Sequence, residues 1–117
     1  MKLTAETFYK ALADSTRLRS LMLLTQEGEL CVCELTHALD IIQPKISRHL
    51  AQLRESGIVS TRREGQWIYY CLNKRLPAWA KQVLKATAEG VADEAPFSQD
   101  RKVLKAMPDR PGASCCA

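Results

Sequence analysis

Two short helical patterns separated by "DIIQ", followed at once by a β-branched, aromatic run folded about "REGQ", predict a mainly α chain with a small β-hairpin. Helix-turn-helix followed by a basic hairpin is the winged-helix arrangement, here in the order α-α-α-α-β-β-α. The charge distribution agrees with it. Residues 41–75 hold Lys45, Arg48, Arg54, Arg62, Arg63, Lys74 and Arg75 against Glu55 and Glu64, a balance of +5 within a chain of net charge +4. Such a block attracts phosphate, although a solvated basic face would give the same count.

Each element has its own signal. "TAETFYKALA" sets Phe8 and Leu12 at helical spacing behind Thr4, a suitable N-cap, and predicts a helix over 4–13. "ADSTRLRSLMLL" restarts the pattern with Asp14 or Ser15 as cap, and the glycine of "QEGE" stops it. From Val32 the apolar positions Leu35, Ala38 and Leu39 mark a third helix ending near Asp40. Pro44 suits the first turn of a fourth, where its missing N–H costs nothing; Ile46, Leu50 and Leu53 form its apolar face and Gly57 ends it. "IVSTRREGQWIYYCL" reads as the hairpin, and "PAWAKQVLKATAEGV" as a closing helix over 77–91. Beyond it lie three of the five prolines and few bulky apolar residues. Ser98 to Met107 is expected to form an isolated helical turn or two, and the end beyond Pro108 to be mobile. The expected division is a winged domain over 1–94 and a partly flexible C-terminal tail over 95–117.

At 117 residues, 46% hydrophobic and 26% charged, the chain has the composition of one folded domain. No apolar stretch approaches the roughly 20 residues that span a bilayer, and the N-terminus lacks the pattern of a secretory signal. No membrane association and a cytoplasmic location are therefore expected. In that reducing setting the five cysteines are read as thiols open to metals or oxidants, not as a disulfide framework.

With "LADSTRLRSLMLL", "ELCVCEL", "QPKISRHLAQLRESGIV", "RREGQWIYY" and "LPAWA" in view, the chain resembles the ArsR/SmtB family of winged-helix metal-responsive repressors, and within it the arsenic-responsive repressors. The resemblance runs from about Phe8 to about Ala80, and "CVCEL" joined to "QPKISRHL" is its most specific part. It implies a homodimer whose terminal helices form the subunit interface. The amphipathic faces of 4–13 and 77–91 are compatible with that role, with packing within one subunit as the plain alternative.

Cys31 and Cys33 carry the distinctive chemistry. Thiolates are soft donors that favour thiophilic ions over hard cations, which points to As(III) or Sb(III) as inducer, with no organic cofactor. The plain alternative is a pair of small buried hydrophobes. On a regular helix residues i and i+2 lie about 200° apart, so chelation is expected to distort or unwind the start of the third helix and move the recognition helix with it. The resemblance implies a third cysteine in some members, at the position that Thr36 occupies here. His37 reads as a surface residue and Cys71 as structural. Cys115 or Cys116 can complete the site from the tail, or belong to an oxidation-prone end with no part in sensing.

For the operator, Gln43, Lys45, Ser47, Arg48, His49 and Gln52 offer a groove-lying helix its donors and acceptors. Contact with DNA and capping of the surface are equally open for His49. Arg62, Arg63 and Gln66 lie at or near the hairpin tip, while Trp67, Tyr69 and Tyr70 read as strand packing. The expected function is a homodimeric repressor that binds partly palindromic double-stranded operator DNA and leaves it when the thiols take up As(III) or Sb(III). A redox or Cd/Zn sensor of the same fold is the alternative. A thiol enzyme or metal carrier is disfavoured, since the chain has no C-x-x-C and no obvious general base.

Overall fold

The computed structural model describes residues 3–108. Helix α1 (Ala5–Leu12) begins where Thr4 Oγ1 accepts the Thr7 N–H at 3.2 Å. Asp14 caps α2 (Ser15–Glu27) by accepting the Arg17 N–H at 3.0 Å, and Gly28 ends the helix at φ 88°, a backbone state that only glycine adopts without strain. Strand β1 (Glu29–Cys31) follows, then α3 (Val32–Leu39) and α4 (Gln43–Glu55), with Pro44 in its first turn. Strands β2 (Val59–Glu64) and β3 (Trp67–Leu72) form the hairpin, and α5 (Ala78–Gly90) and α6 (Phe97–Lys105) complete the described chain.

Two features differ from the sequence expectation. The wing is a three-stranded antiparallel sheet in the order β1-β3-β2, because Glu29, Leu30 and Cys31 pair with Cys71, Tyr70 and Tyr69. A strand this short shows no periodicity of its own and exists through its partner. The second difference is α6, a nine-residue helix that packs on α2 and α3 where an isolated turn or two was expected. Leu104 is fully buried in the core, and Asp100 is buried in a two-pronged ion pair with Arg19, at 2.9 Å to Nε and 2.7 Å to Nη2. Arg19 Nη2 also donates to the Leu39 carbonyl at 3.2 Å, so one guanidinium joins the start of α6 to the end of α3. The Asp100 hydrogen bond raises the Arg19 pKa above its usual value, against the effect of burial.

Helix α2 is the centre of the molecule. Leu21, Met22, Leu23 and Leu24 are all buried, so this helix is covered on every side by α1, α3, α4, α5, α6 and the sheet. Ile46, Leu50 and Leu53 of α4 are fully buried in the same core. Truncating any one of them should cost about 2–5 kcal/mol, since a close-packed interior fills such a cavity only in part. Where α1 meets α5, Phe8 packs edge-on against Tyr9 and Trp79 at 5.4 and 5.2 Å between ring centres. Phe8 is buried, while Tyr9 and Trp79 stay exposed. No helix among the described residues is long and apolar enough to cross a membrane.

Candidate nucleic-acid interface and thiol site

With Ile46, Leu50 and Leu53 turned inward, α4 presents a polar outer surface. At about 100° per residue, Lys45, Arg48 and Gln52 share one stripe and Gln43 and Ser47 another. All but the half-buried Ser47 are exposed, as are Pro44 and Ala51 between the stripes. Among the described residues neither Lys45 nor Arg48 has a carboxylate within ion-pair distance. Their charge is available to an external anion.

His49 faces the other way. Only 8% exposed, it packs beneath α4 with Nδ1 3.2 Å from Arg17 Nη1 and 3.9 Å from Asp14 Oδ1. A guanidinium has only donors, so Nδ1 is the acceptor of a neutral imidazole whose proton sits on Nε2. Burial first, and then the charges of Arg17, Arg48 and Lys45, push the His49 pKa below its ordinary value against the pull of Asp14. For Asp14, burial works upward. The Arg17 N–H bond, the charge His49 carries once protonated and the charge of Arg17 together outweigh it and hold the carboxyl below its usual range. The ring thus packs on Arg17 and Asp14 at the inner side of the reading helix.

Arg17 is the residue sequence reasoning missed. Its Nε donates to the Ala11 carbonyl at 2.9 Å, Nη2 to the Lys10 carbonyl at 3.2 Å, and Nη1 to Gln52 Oε1 at 2.8 Å. One side chain ties the end of α1 to the reading helix. The only sequence signal was an arginine next to buried positions of α2. This bond takes one lone pair of Gln52 Oε1; the oxygen can accept a second hydrogen bond and the amide N–H groups can still donate.

The wing is arranged differently. Arg62 forms a bidentate pair with Glu29 (3.0 and 2.6 Å), a third bond to Glu64 (2.9 Å), and lies 4.8 Å above the Tyr69 ring. Its pKa is raised above the usual value by the Glu29 bond first, and that of Glu29 is lowered by Arg62. Arg63 is exposed and, among the described residues, its side chain bonds only to the Gly65 carbonyl at 3.1 Å, while Gln66 is exposed in the turn made possible by Gly65 at φ 63°.

At the thiol pair the geometry differs from the one assumed for two residues of a regular helix. Cys31 is the last residue of β1 and the N-cap of α3, at φ −91° and ψ 167°. The pairing of Cys31 with Tyr69 keeps it extended, so the 200° argument, which assumed both residues on one regular helix, does not apply. The two sulfurs converge to 3.0 Å with the helix intact. Cys31 is fully buried and Cys33 partly so. Glu34, also fully buried, accepts the Cys31 N–H at 2.9 Å and fixes the junction. Thr36 Oγ1 donates to the Val32 carbonyl at 2.9 Å, and His37 is exposed. Cys71 is half-buried, 3.4 Å from Ser60 Oγ. Cys115 and Cys116 lie outside the described residues. Among the described residues no three His, Cys, Asp or Glu side chains gather as a metal cluster.

Core helices, a basic reading helix and a three-stranded wing together define a winged helix-turn-helix DNA-binding regulator. Residues 14–61 match the family model described as "Bacterial regulatory protein, arsR family". An arsenic resistance transcriptional regulator of Pseudomonas putida, ArsR1, is 52% identical over 93% of this chain and 84% of its own length. The chain belongs to the arsR family. Among solved structures, HlyU of Vibrio cholerae superposes with a TM-score of 0.66 at 35% identity, over 73% of this chain and 88% of that one. A homodimeric winged helix-turn-helix DNA-binding domain of Mycobacterium bovis gives 0.61 at 34% identity, over 76% and 78%.

Proposed function

We propose that this chain is an arsenic-responsive transcriptional repressor: a homodimer binds double-stranded operator DNA and releases it when As(III) or Sb(III) binds Cys31 and Cys33. The convergence of two soft donors at the β1–α3 junction carries the reading. That junction touches both DNA-facing parts of the molecule, since α3 packs on α4 and β1 is hydrogen-bonded to β3 of the wing. A ligand that reshapes it biases reader and wing together, as coupling between two sites requires. Gln43, Lys45, Ser47, Arg48 and Gln52 would face the groove, and Arg63 and Gln66 the backbone beside it, with Arg62 held in reserve by its acids. Exposed Tyr9 and Trp79 where α1 meets α5 support these terminal helices as the subunit interface. Cys115 or Cys116 would supply a third sulfur.

The test is release of a two-fold symmetric duplex, selected in vitro for binding, followed by fluorescence anisotropy. Arsenite and antimonite should release the wild-type protein. The Cys31→Ser, Cys33→Ser protein should bind with unchanged affinity and stay bound. Release of that variant at wild-type arsenite concentrations would move the sensing site elsewhere. Deleting residues 109–117 should weaken arsenite binding and lower the sulfur count seen by X-ray absorption, with operator affinity intact. The 3.0 Å approach of the sulfurs also suits oxidation to a disulfide, so a peroxide arm separates redox sensing, and cadmium and zinc arms separate divalent sensing.

A further inference from the structure

The head of α4 carries a residue that neither the helix nor the core explains. Its N-cap is Ile42, which has no side-chain oxygen, and no side-chain capping bond forms there. Helices favour Ser, Thr, Asp or Asn at this position because the first N–H groups lack partners. Ile42 is also 71% exposed, more than Tyr9, Ile68, Val103 or Trp79. Its backbone, in contrast, is fixed, with the Ile42 carbonyl accepting the N–H groups of Lys45 at 3.1 Å and Ile46 at 3.2 Å. Ile46 is fully buried, so the mount is anchored in the core.

An apolar side chain on a fixed backbone therefore stands in solvent at the leading end of the reading helix, just ahead of exposed Gln43, Lys45 and Arg48. In helix-turn-helix proteins this end meets the base edges of the major groove. Those edges offer hydrogen-bonding atoms and one apolar group, the C5-methyl of thymine. We propose that Ile42 is a specificity-determining residue that packs on a thymine methyl in each half-site, reading a T·A pair by apolar contact. The proposal rests on the DNA-binding reading above. It adds to the hydrogen-bonding residues of α4 a contact in which shape and water exclusion decide.

The test replaces the thymines of a selected duplex one at a time with deoxyuridine, which removes only the methyl group. At one symmetry-related pair of positions the wild-type protein should lose about fourfold in affinity per half-site, the equivalent of about 0.8 kcal/mol per buried methyl-sized group. Ile42→Ser, which supplies the missing capping oxygen and so favours folding, should bind the thymine and uracil duplexes equally at that pair, with wild-type helicity and sedimentation. The proposal is overturned if no uracil position costs the wild type more than its neighbours do, or if the same position costs Ile42→Ser as much. It also falls if Ile42→Ser alters sedimentation while keeping the thymine preference, which would assign Ile42 to contact with a second copy. A wild-type protein that binds no selected duplex at all would instead defeat the DNA-binding reading on which the proposal stands.

Discussion

On α4, Lys45 and Arg48 stand exposed with no carboxylate partner among the described residues, and the groups that steady the helix, Arg17 and His49, lie beneath it. In the wing, Arg62 is gripped by Glu29 and Glu64 and lies over Tyr69, leaving Arg63 as the more available cation. Sequence charge counts treat these arginines alike. Free cations displace condensed counterions when they meet phosphate, whereas a paired one must first give up its acids. On the proposed DNA-binding reading, the contrast would make α4 the anchor of binding and the wing an adjustable contributor.

Arg48→Ala should give the largest effect, a loss of roughly 1–3 kcal/mol in operator affinity with fold and dimer intact, measured by anisotropy at matched salt. Unchanged affinity would erase the contrast from the α4 side. A second test concerns the support under α4. Because the folded-state pKa of His49 lies below its ordinary 6.5, the unfolded chain binds protons first, and stability that is complete above pH 6.5 is lost as pH falls through the folded value. Melting temperature should drop with acidification below that point, and His49→Gln should flatten the drop; an equally steep profile would clear His49. The wing gives the smallest effects. Arg63→Ala should reduce the slope of log affinity against log salt by about one, and Glu29→Gln should tighten binding slightly by releasing one arm of Arg62. Weaker binding by Glu29→Gln would show that the pair positions the wing instead of restraining its charge.

Much of this was legible in the sequence because it is local. Thr4, Asp14, Gly28, Pro44 and Gly57 punctuate the helices where their side chains or backbone freedom dictate, and Ile46, Leu50 and Leu53 turn inward as their spacing requires. What was not legible depends on distant partners. Strand β1 is defined by β3, some 40 residues on in register, and the burial of Asp100 in α6 by Arg19, separated by 81 residues. The spacing of Cys31 and Cys33 was visible, but their convergence was not, because it follows from Cys31 belonging to the strand instead of the helix. His49 and Arg17 face each other across 32 residues, which no periodicity could show.

The clasp between Arg19 and Asp100 also governs where the molecule can be cut. A chain stopped at residue 94 would keep every winged element yet lose Asp100, leaving a half-buried guanidinium opposite the Leu39 carbonyl and opening the slot filled by Leu104. Removing one member of a buried ion pair strands the other. A shortened fragment intended to isolate the DNA-reading part would therefore carry an uncompensated charge at the end of α3, the helix that holds Cys33, and thiol measurements made on it would describe a different molecule.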